Sequence, residues 1–471
     1  MAHDSLPVAI DEEPRGLPPA ALGLRVELPR PLLATQVEPS FGYVHPAAGL
    51  RVIALGEAAR LEGHDAAGAA RLLGRLSRDQ TLEWLDGAPG LPLPPGPWLA
   101  AIAFNPDAPP EPAWRGFAPA RFILPAVLAW SEGGRHYAAA FAAGPRSRGS
   151  RELLRNRLDA LRSLQPALDK ADISITSSST GAAASEALPA APSAKARASW
   201  SALIAAALAE IRSGRLDKVV VARAQEVMAA SPWEPGRLLE VLAARHPGCR
   251  AFLIRGDDGA HFVGATPELL CAIDGRDLRA DAVAGSAPPA EAAALPGRAK
   301  DLREHRWVVE HLVRGLRPLT ESLSLPPEPG VRVFPNVAHL VTPVAGRLRP
   351  GVDPGDVVAA LHPTPAVCGE PPRAALDFLT RHEGLGRGLY AGLVGFVGPR
   401  GTELAVALRS VLLRGGTARV FAGAGIVEGS DAGAELIETE LKAAAVLRAL
   451  AACAPEAVAP VRTASAAGGP A

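Results

Sequence analysis

The sequence predicts a chain of mixed helices and strands. Two kinds of stretch alternate along it: segments with apolar residues spaced at about 3.6, and short valine-rich runs. A third observation predicts that it folds. Hydrophobic residues make up 48% of its 471 residues, enough for a large core and more than one lobe.

Taken in order, residues 1–20 read as a loose acidic tail broken by proline. They lack the basic start and apolar run of a signal peptide. Residues 21–170 read as a mixed α/β region. "GLRVIALG" and "RFILPAVLAW" read as strands, and "DAAGAARLLGRLSR" and "RELLRNRLDALRSL" as amphipathic helices. Residues 171–198 are rich in Ser, Ala and Pro and read as an exposed linker or loop. Order resumes at Ser199. Trp200, Leu203, Ala207, Leu208 and Ile211 fall on one helical face, with Ser199 as a cap and Gly214 as a stop. "LDKVVVARAQEV" then reads as a strand, "HFVGATPELLCAI" as two short strands around a turn, and "RAKDLREHRWVVEHLVRGL" as a helix. "ARVFAGAGIV" is a strand running into glycines, and "GAELIETELKAAAVLRALAA" closes as a helix. Residues 456–471 read as a disordered tail. No internal repeat is present.

Composition excludes several classes. Lysine plus arginine equals aspartate plus glutamate, 49 each, which argues against a nucleic-acid or polyanion partner. Cys249, Cys271, Cys368 and Cys453 form no CxxC pair, so a zinc site of that type is not predicted. No run of about 18 apolar residues occurs, so no membrane-spanning helix is predicted. These features lead us to expect a soluble, cytoplasmic chain.

Several residues could carry chemistry. Lys218 opens a valine-rich strand and shares a face with Val220 and Ala222. It reads either as a solvated lysine at a strand end or as a pocket base with a lowered pKa. Glu268, in "GATPELL", reads either as an exposed turn residue or as a glutamate aimed by a tight turn. Around Glu304, Arg306–Glu310 and Glu310–Arg314 are ordinary i,i+4 pairs, so a solvated helix face is the local reading. His305 and His311 are not at i,i+4, so a helical zinc pair is not supported. Glu435 and Glu438 share a face at i,i+3, suiting either solvation or hard Mg²⁺. Gly423 and Gly425 precede them and leave backbone N–H groups open to an anion. "GAGIVEGS" is not the dinucleotide fingerprint, because the third glycine is out of place.

The order of these pieces is more specific than any one of them. "LDKVVVAR", "GATPELL", "AGS", "KDLREH", "HLVTP", "LHPTPAVCG", "YAGLVGF", "VALRS" and "FAGAGIVEGSDAGAELIETELK" follow one another over about 199–445. This closely resembles the chorismate-utilising enzymes: isochorismate synthases, salicylate synthases, anthranilate synthase component I and aminodeoxychorismate synthases. The resemblance implies an α+β fold, with large antiparallel sheets packed face to face and helices outside. It makes 199–455 the chorismate-binding catalytic region, with the N-terminal region part of the same body.

Residue by residue, the resemblance implies roles. Lys218 looks like the lysine that activates water, and Glu268 like the acid that protonates the leaving 4-hydroxyl. Glu304 and Glu438 look like Mg²⁺ ligands, with Glu435 near the metal. Arg409 and the backbone at Gly423 and Gly425 look like a clamp on the pyruvyl carboxylate. Gly285, Ser286, His362, Thr364, Ala366, Tyr390 and Lys442 look like substrate contacts.

Branch features point one way. Ammonia-using members typically have glutamine at the Lys218 position, so no glutamine amidotransferase subunit is expected. The aminodeoxychorismate branch carries a nucleophilic lysine where this chain has Ala284. Salicylate synthases typically read "TASG" where this chain reads "PAVCG". The expected activity is therefore that of isochorismate synthases, by a monomer, feeding menaquinone or siderophore formation. The alternatives are a salicylate synthase, marked by pyruvate release, and an inactive chorismate-binding protein, marked by absent turnover. The chain departs from the family pattern between Ser286 and Lys300, where the segment looks short and "AGSAPP" lacks an arginine.

Overall fold

A computed structural model describes residues 21–79, 82–85, 90–109, 111–144, 146–164, 193–453 and 458–462. The expected N-terminal tail, most of the expected linker and the last nine residues lie outside the described residues.

Two sheets dominate, one of 13 strands and one of 10. Their pairing is antiparallel except where Ala21–Leu28 runs parallel to Glu83–Trp84. The sheets stack face to face. Tyr43, on the larger, donates a 2.8 Å hydrogen bond to Glu403 on the smaller, and its ring meets Phe396 edge-on at 5.7 Å. Side chains alternate along each strand. Phe252, Ile254, Phe262 and Phe421 therefore enter the inter-sheet core. Ala251, Leu253, Val263 and Val420 face the other way, beneath helices Arg148–Leu164, Pro235–Arg245 and Ala432–Cys453.

The early chain and the later chain build the same sheets. Phe41–His45 pairs with Arg250–Arg255, and Trp98–Ile102 with Leu393–Gly398. "RFILPAVLAW", expected as one strand, is two. Ala120–Leu124 lies in the smaller sheet and Val127–Glu132 in the larger. Pro125 stands at the break, and its missing N–H cannot continue a ladder. "HFVGATPELLCAI" divides in the same way: His261–Thr266 joins the larger sheet and Leu269–Asp274 the smaller. Glu268 sits in that crossing.

Other boundaries need correction. The helix expected to start at Ser199 spans Ala194–Arg212, and the Ser193 side chain caps it by accepting from the Ala196 N–H. "AKARA" is rich in good helix formers and extends the helix backwards. Part of the expected C-terminal tail is ordered as a strand: Val458–Arg462 pairs with Lys218–Ala229. Among the described residues, no helix is long and apolar enough to cross a membrane.

Candidate active site

A cleft of about 660 Å³ opens where strands from both sheets meet helix Ala299–Leu316. Strand Lys218–Ala229 supplies one wall, paired antiparallel with Thr417–Ile426. Lys218, at its start, is fully out of solvent. Its Nζ lies 3.1 Å from Glu304 Oε1 but is not aligned for a hydrogen bond. Burial lowers the lysine's pKa, while the Glu304 charge pulls it back up. Burial would raise the Glu304 carboxyl, but the charges of Lys218, Lys442 and Lys300 hold it below the usual range. The solvated readings of both residues are therefore overturned.

Gly425 makes room for this pair. A Cβ there would stand 2.1 Å from Glu304 Oε1 and 3.2 Å from Lys218 Cε. The glycine lets a carboxylate rest against the strand backbone.

Glu268 is buried at the sheet crossing, so the exposed-turn reading also falls. Its backbone N–H donates to Thr266 Oγ1 at 3.2 Å. Burial pushes its carboxyl up to about 8, against the pull of the Lys218 charge. At neutral pH it holds a proton that it can give.

The other acidic residues lie beside the cleft. Each carboxylate has its own lysine. Glu304 faces Lys218, Glu438 meets Lys442 at 2.6 Å, and Glu435 pairs with Lys300. Among the described residues, no three acidic, histidine or cysteine side chains converge to hold one ion. Glu304, Glu435 and Glu438 are thus not gathered as a trio around one point. The donor set still suits a hard divalent cation. Glu435 Oε2 is buried without a hydrogen-bond partner among the described residues, and burial, then the Glu438 charge, raises that carboxyl's pKa. Asp301 is pushed up to about 6 by burial and by Glu304.

The opposite end suits an anion. Arg409 is buried and left-handed at φ 49, a conformation that costs a non-glycine residue energy and tends to cluster at functional sites. Its Nη2 lies 2.8 Å from His339 Nε2. Burial and the Arg409 charge hold His339 well below its ordinary pKa, so the ring is neutral. Nε2 then accepts from Arg409, leaving the Nδ1 proton for Gly285 O at 3.2 Å or Ser286 Oγ at 3.0 Å.

The two glycines present their backbone between the ends, beside Lys442. Val220 N and O and Ala222 N bond away from the partner strand. The ladder to Thr417–Ile426 therefore runs through Val219 and Val221, opposite Ile426 and Ala424. Gly423 and Gly425 then point their N–H and C=O groups the other way, where Lys442 Nζ reaches Gly423 O at 3.0 Å. The neighbouring strand Ser410–Arg414 stops pairing at Val420, so it does not claim them.

Gly285, Ser286, Ala366, Tyr390, Arg409, Gly423, Gly425 and Lys442 all line the cleft. Lys218, Glu435, Glu438, His362 and Thr364 do not; Lys218 reaches the wall through Glu304, and Glu438 through Lys442. The His362 ring packs toward Phe104, 6.5 Å between centroids. Thr364 is buried, and its Oγ1 accepts from Ala366 N at 3.3 Å, shaping the turn rather than facing the cleft. The sequence reading missed Lys300, His339 and Arg387. Lys300 and His339 lie inside "KDLREH" and "HLVTP", and Arg387 stands just ahead of Tyr390, but no spacing rule links them to their partners.

A family model described as "Chorismate binding enzyme" matches residues 35–451. The salicylate biosynthesis isochorismate synthase of Pseudomonas aeruginosa is 34% identical over 412 residues, covering 86% of this chain and 83% of that protein. A putative isochorismate synthase MenF of Mycobacterium tuberculosis is 40% identical over 255 residues, 50% of this chain and 68% of that one. Among solved structures, MenF, the menaquinone-specific isochorismate synthase of Escherichia coli, superposes with a TM-score of 0.69 at 25% identity, covering 93% of this chain and 96% of that one.

Proposed function

The chain belongs to the chorismate-binding enzyme family, and from that premise we propose that it is an isochorismate synthase. It converts chorismate to isochorismate reversibly, by adding water at C2 and releasing the C4 hydroxyl. The observation that carries this reading is a buried glutamate in the cleft wall, raised to about 8, with a buried lysine of lowered pKa 3.1 Å from the wall residue Glu304.

In the forward direction neutral Lys218 takes a proton from water, and the water oxygen bonds to C2. The ring double bonds shift, the C4–O bond breaks, and Glu268 gives its proton to the departing hydroxyl. Arg409 and the Gly423 and Gly425 N–H groups hold the pyruvyl carboxylate. Glu304 and Glu438 would hold Mg²⁺, with Glu435 close by; the ion would neutralise the ring carboxylate. Lys218 rather than glutamine favours water over ammonia, and Ala284 offers no amine for a covalent adduct. The relatives are named for menaquinone and salicylate routes, and we place the product at the head of one of these.

Purified protein with chorismate and Mg²⁺ should give a mixture of chorismate and isochorismate from either direction. Little pyruvate should form in a lactate-dehydrogenase-coupled assay, and ammonium should not divert the product. Stoichiometric pyruvate with fluorescent salicylate would favour the salicylate synthase reading instead.

A further inference from the structure

We propose that Arg387, braced by Glu383, is a positioning residue that fixes the Lys218 strand against the 364–368 turn. This rests on the reading of Lys218 as the base, and concerns residues that no motif assigned.

One edge of the Lys218 strand is interrupted. On the side away from Thr417–Ile426, strand Lys218–Ala229 pairs with Gly369–Glu370 only at Lys218 and Val219. Val220 N still reaches Cys368 O at 2.8 Å. Further along, Val458–Arg462 takes over from Glu226. Between them no strand lies beside the edge among the described residues, yet Val220, Val221 and Ala222 are buried. Unpaired backbone groups there would be costly.

An ion pair fills the gap. Arg387 Nη2 donates to Val220 O at 2.7 Å, and Glu383 Oε1 accepts from Ala222 N at 2.7 Å. Arg387 Nη1 donates to Val367 O at 2.7 Å, next to Ala366 in the cleft wall. The pair closes on itself through Nε–Oε2 at 2.7 Å and Nη2–Oε1 at 2.6 Å. The guanidinium also lies 4.4 Å from the Phe104 ring centroid. One planar fork thus ties the strand carrying Lys218 to the turn carrying Ala366, and lysine could not copy that fork.

Stability alone does not account for such a pair. Two charges almost wholly out of solvent carry a desolvation cost, and apolar replacements of similar volume are often as stable. What apolar side chains cannot do is hold three backbone groups in register. Arg387 also lines both the catalytic cleft and a second cavity of about 1170 Å³ on its far side. That second cavity offers a route by which a small cation could reach the vacated place.

The test uses Arg387→Ala and Arg387→Lys in the full chain, with and without guanidinium chloride at low millimolar concentration. Hydrogen–deuterium exchange should accelerate in 218–223 and 364–368 in Arg387→Ala, with the rest of both sheets unchanged. Guanidinium should slow it again, and sodium or ammonium at equal ionic strength should not. In turnover of chorismate, kcat should fall by about 10²-fold, as for a catalytic group displaced by about 1 Å, while KM changes far less. Guanidinium should restore part of kcat, and Arg387→Lys should remain impaired although folded. Unchanged exchange in both segments, or exchange that guanidinium does not restore, overturns the proposal. An inactive wild type would instead count against the isochorismate synthase reading, and the exchange result would still decide on Arg387.

Discussion

Lys218 Nζ and Glu304 Oε1 lie 3.1 Å apart, with the lysine fully out of solvent. The contact joins two roles, since one residue is proposed to move a proton and the other to hold a metal. Each side chain offsets the other's burial. Lys218→Gln should therefore lose water activation, slowing turnover by roughly 10²–10⁴-fold. It should also lower the melting midpoint without added Mg²⁺, because a buried carboxylate is left uncompensated. Near wild-type rates in a stopped chromatographic assay would exclude Lys218 as the base.

Glu268 fixes one limb of the pH profile. It works as an acid only while protonated, so the rate should fall as pH rises through about 8. Lys218 works as a base only when neutral, so it should add an ascending limb, shifted below that of an ordinary lysine by burial. The same shift predicts a stability effect. The folded state keeps a proton that the unfolded state loses from about 4.5 upward, so this site's contribution falls as pH rises from 4.5 to 8. Glu268→Gln removes that dependence. In urea titrations the variant should gain on wild type across this window, although it is inactive. A variant that loses ground as pH rises would contradict the buried neutral carboxyl.

The carboxylates predict metal behaviour. EDTA should stop turnover, and Mg²⁺ should restore it. Calorimetric titration should show weaker Mg²⁺ binding in Glu304→Gln and Glu438→Gln, since each loses one hard anionic ligand. Full activity of both variants in EDTA would remove the metal from the mechanism.

Gly425→Ala should disable the enzyme through Glu304. The new methyl group would fall 2.1 Å from Glu304 Oε1, so the carboxylate must move. Turnover should drop toward that of Glu304→Gln while the circular dichroism spectrum stays native. An active Gly425→Ala would mean that Glu304 tolerates displacement, and that its place against the strand is not needed.

Much of the site was legible because its residues sit in compact motifs. "LDKVVVAR", "GATPELL", "KDLREH" and "IETELK" each carry a group that the structure brings to or beside the cleft. Strand alternation placed Lys218, and i,i+3 spacing placed Glu435 near Glu438. What the motifs did not carry was partnership. Glu310 pairs with Arg306, as the spacing suggests, but Arg314 leaves its helix neighbour for Glu370. Lys300 meets Glu435 across 135 positions of chain.

The sequence by itself determined the alternation of elements, the family and the chemical types gathered for the reaction, because these depend on local periodicity and short motifs. Only the tertiary structure decided which charges are buried and what neutralises them. Lys218, Glu268 and Glu304 read locally as plausible surface residues. They lie inside because the chain crosses between sheets at Glu268, and because Gly425 admits a carboxylate against its backbone. Burial is a property of what packs around a residue, and that packing comes from segments far apart in sequence.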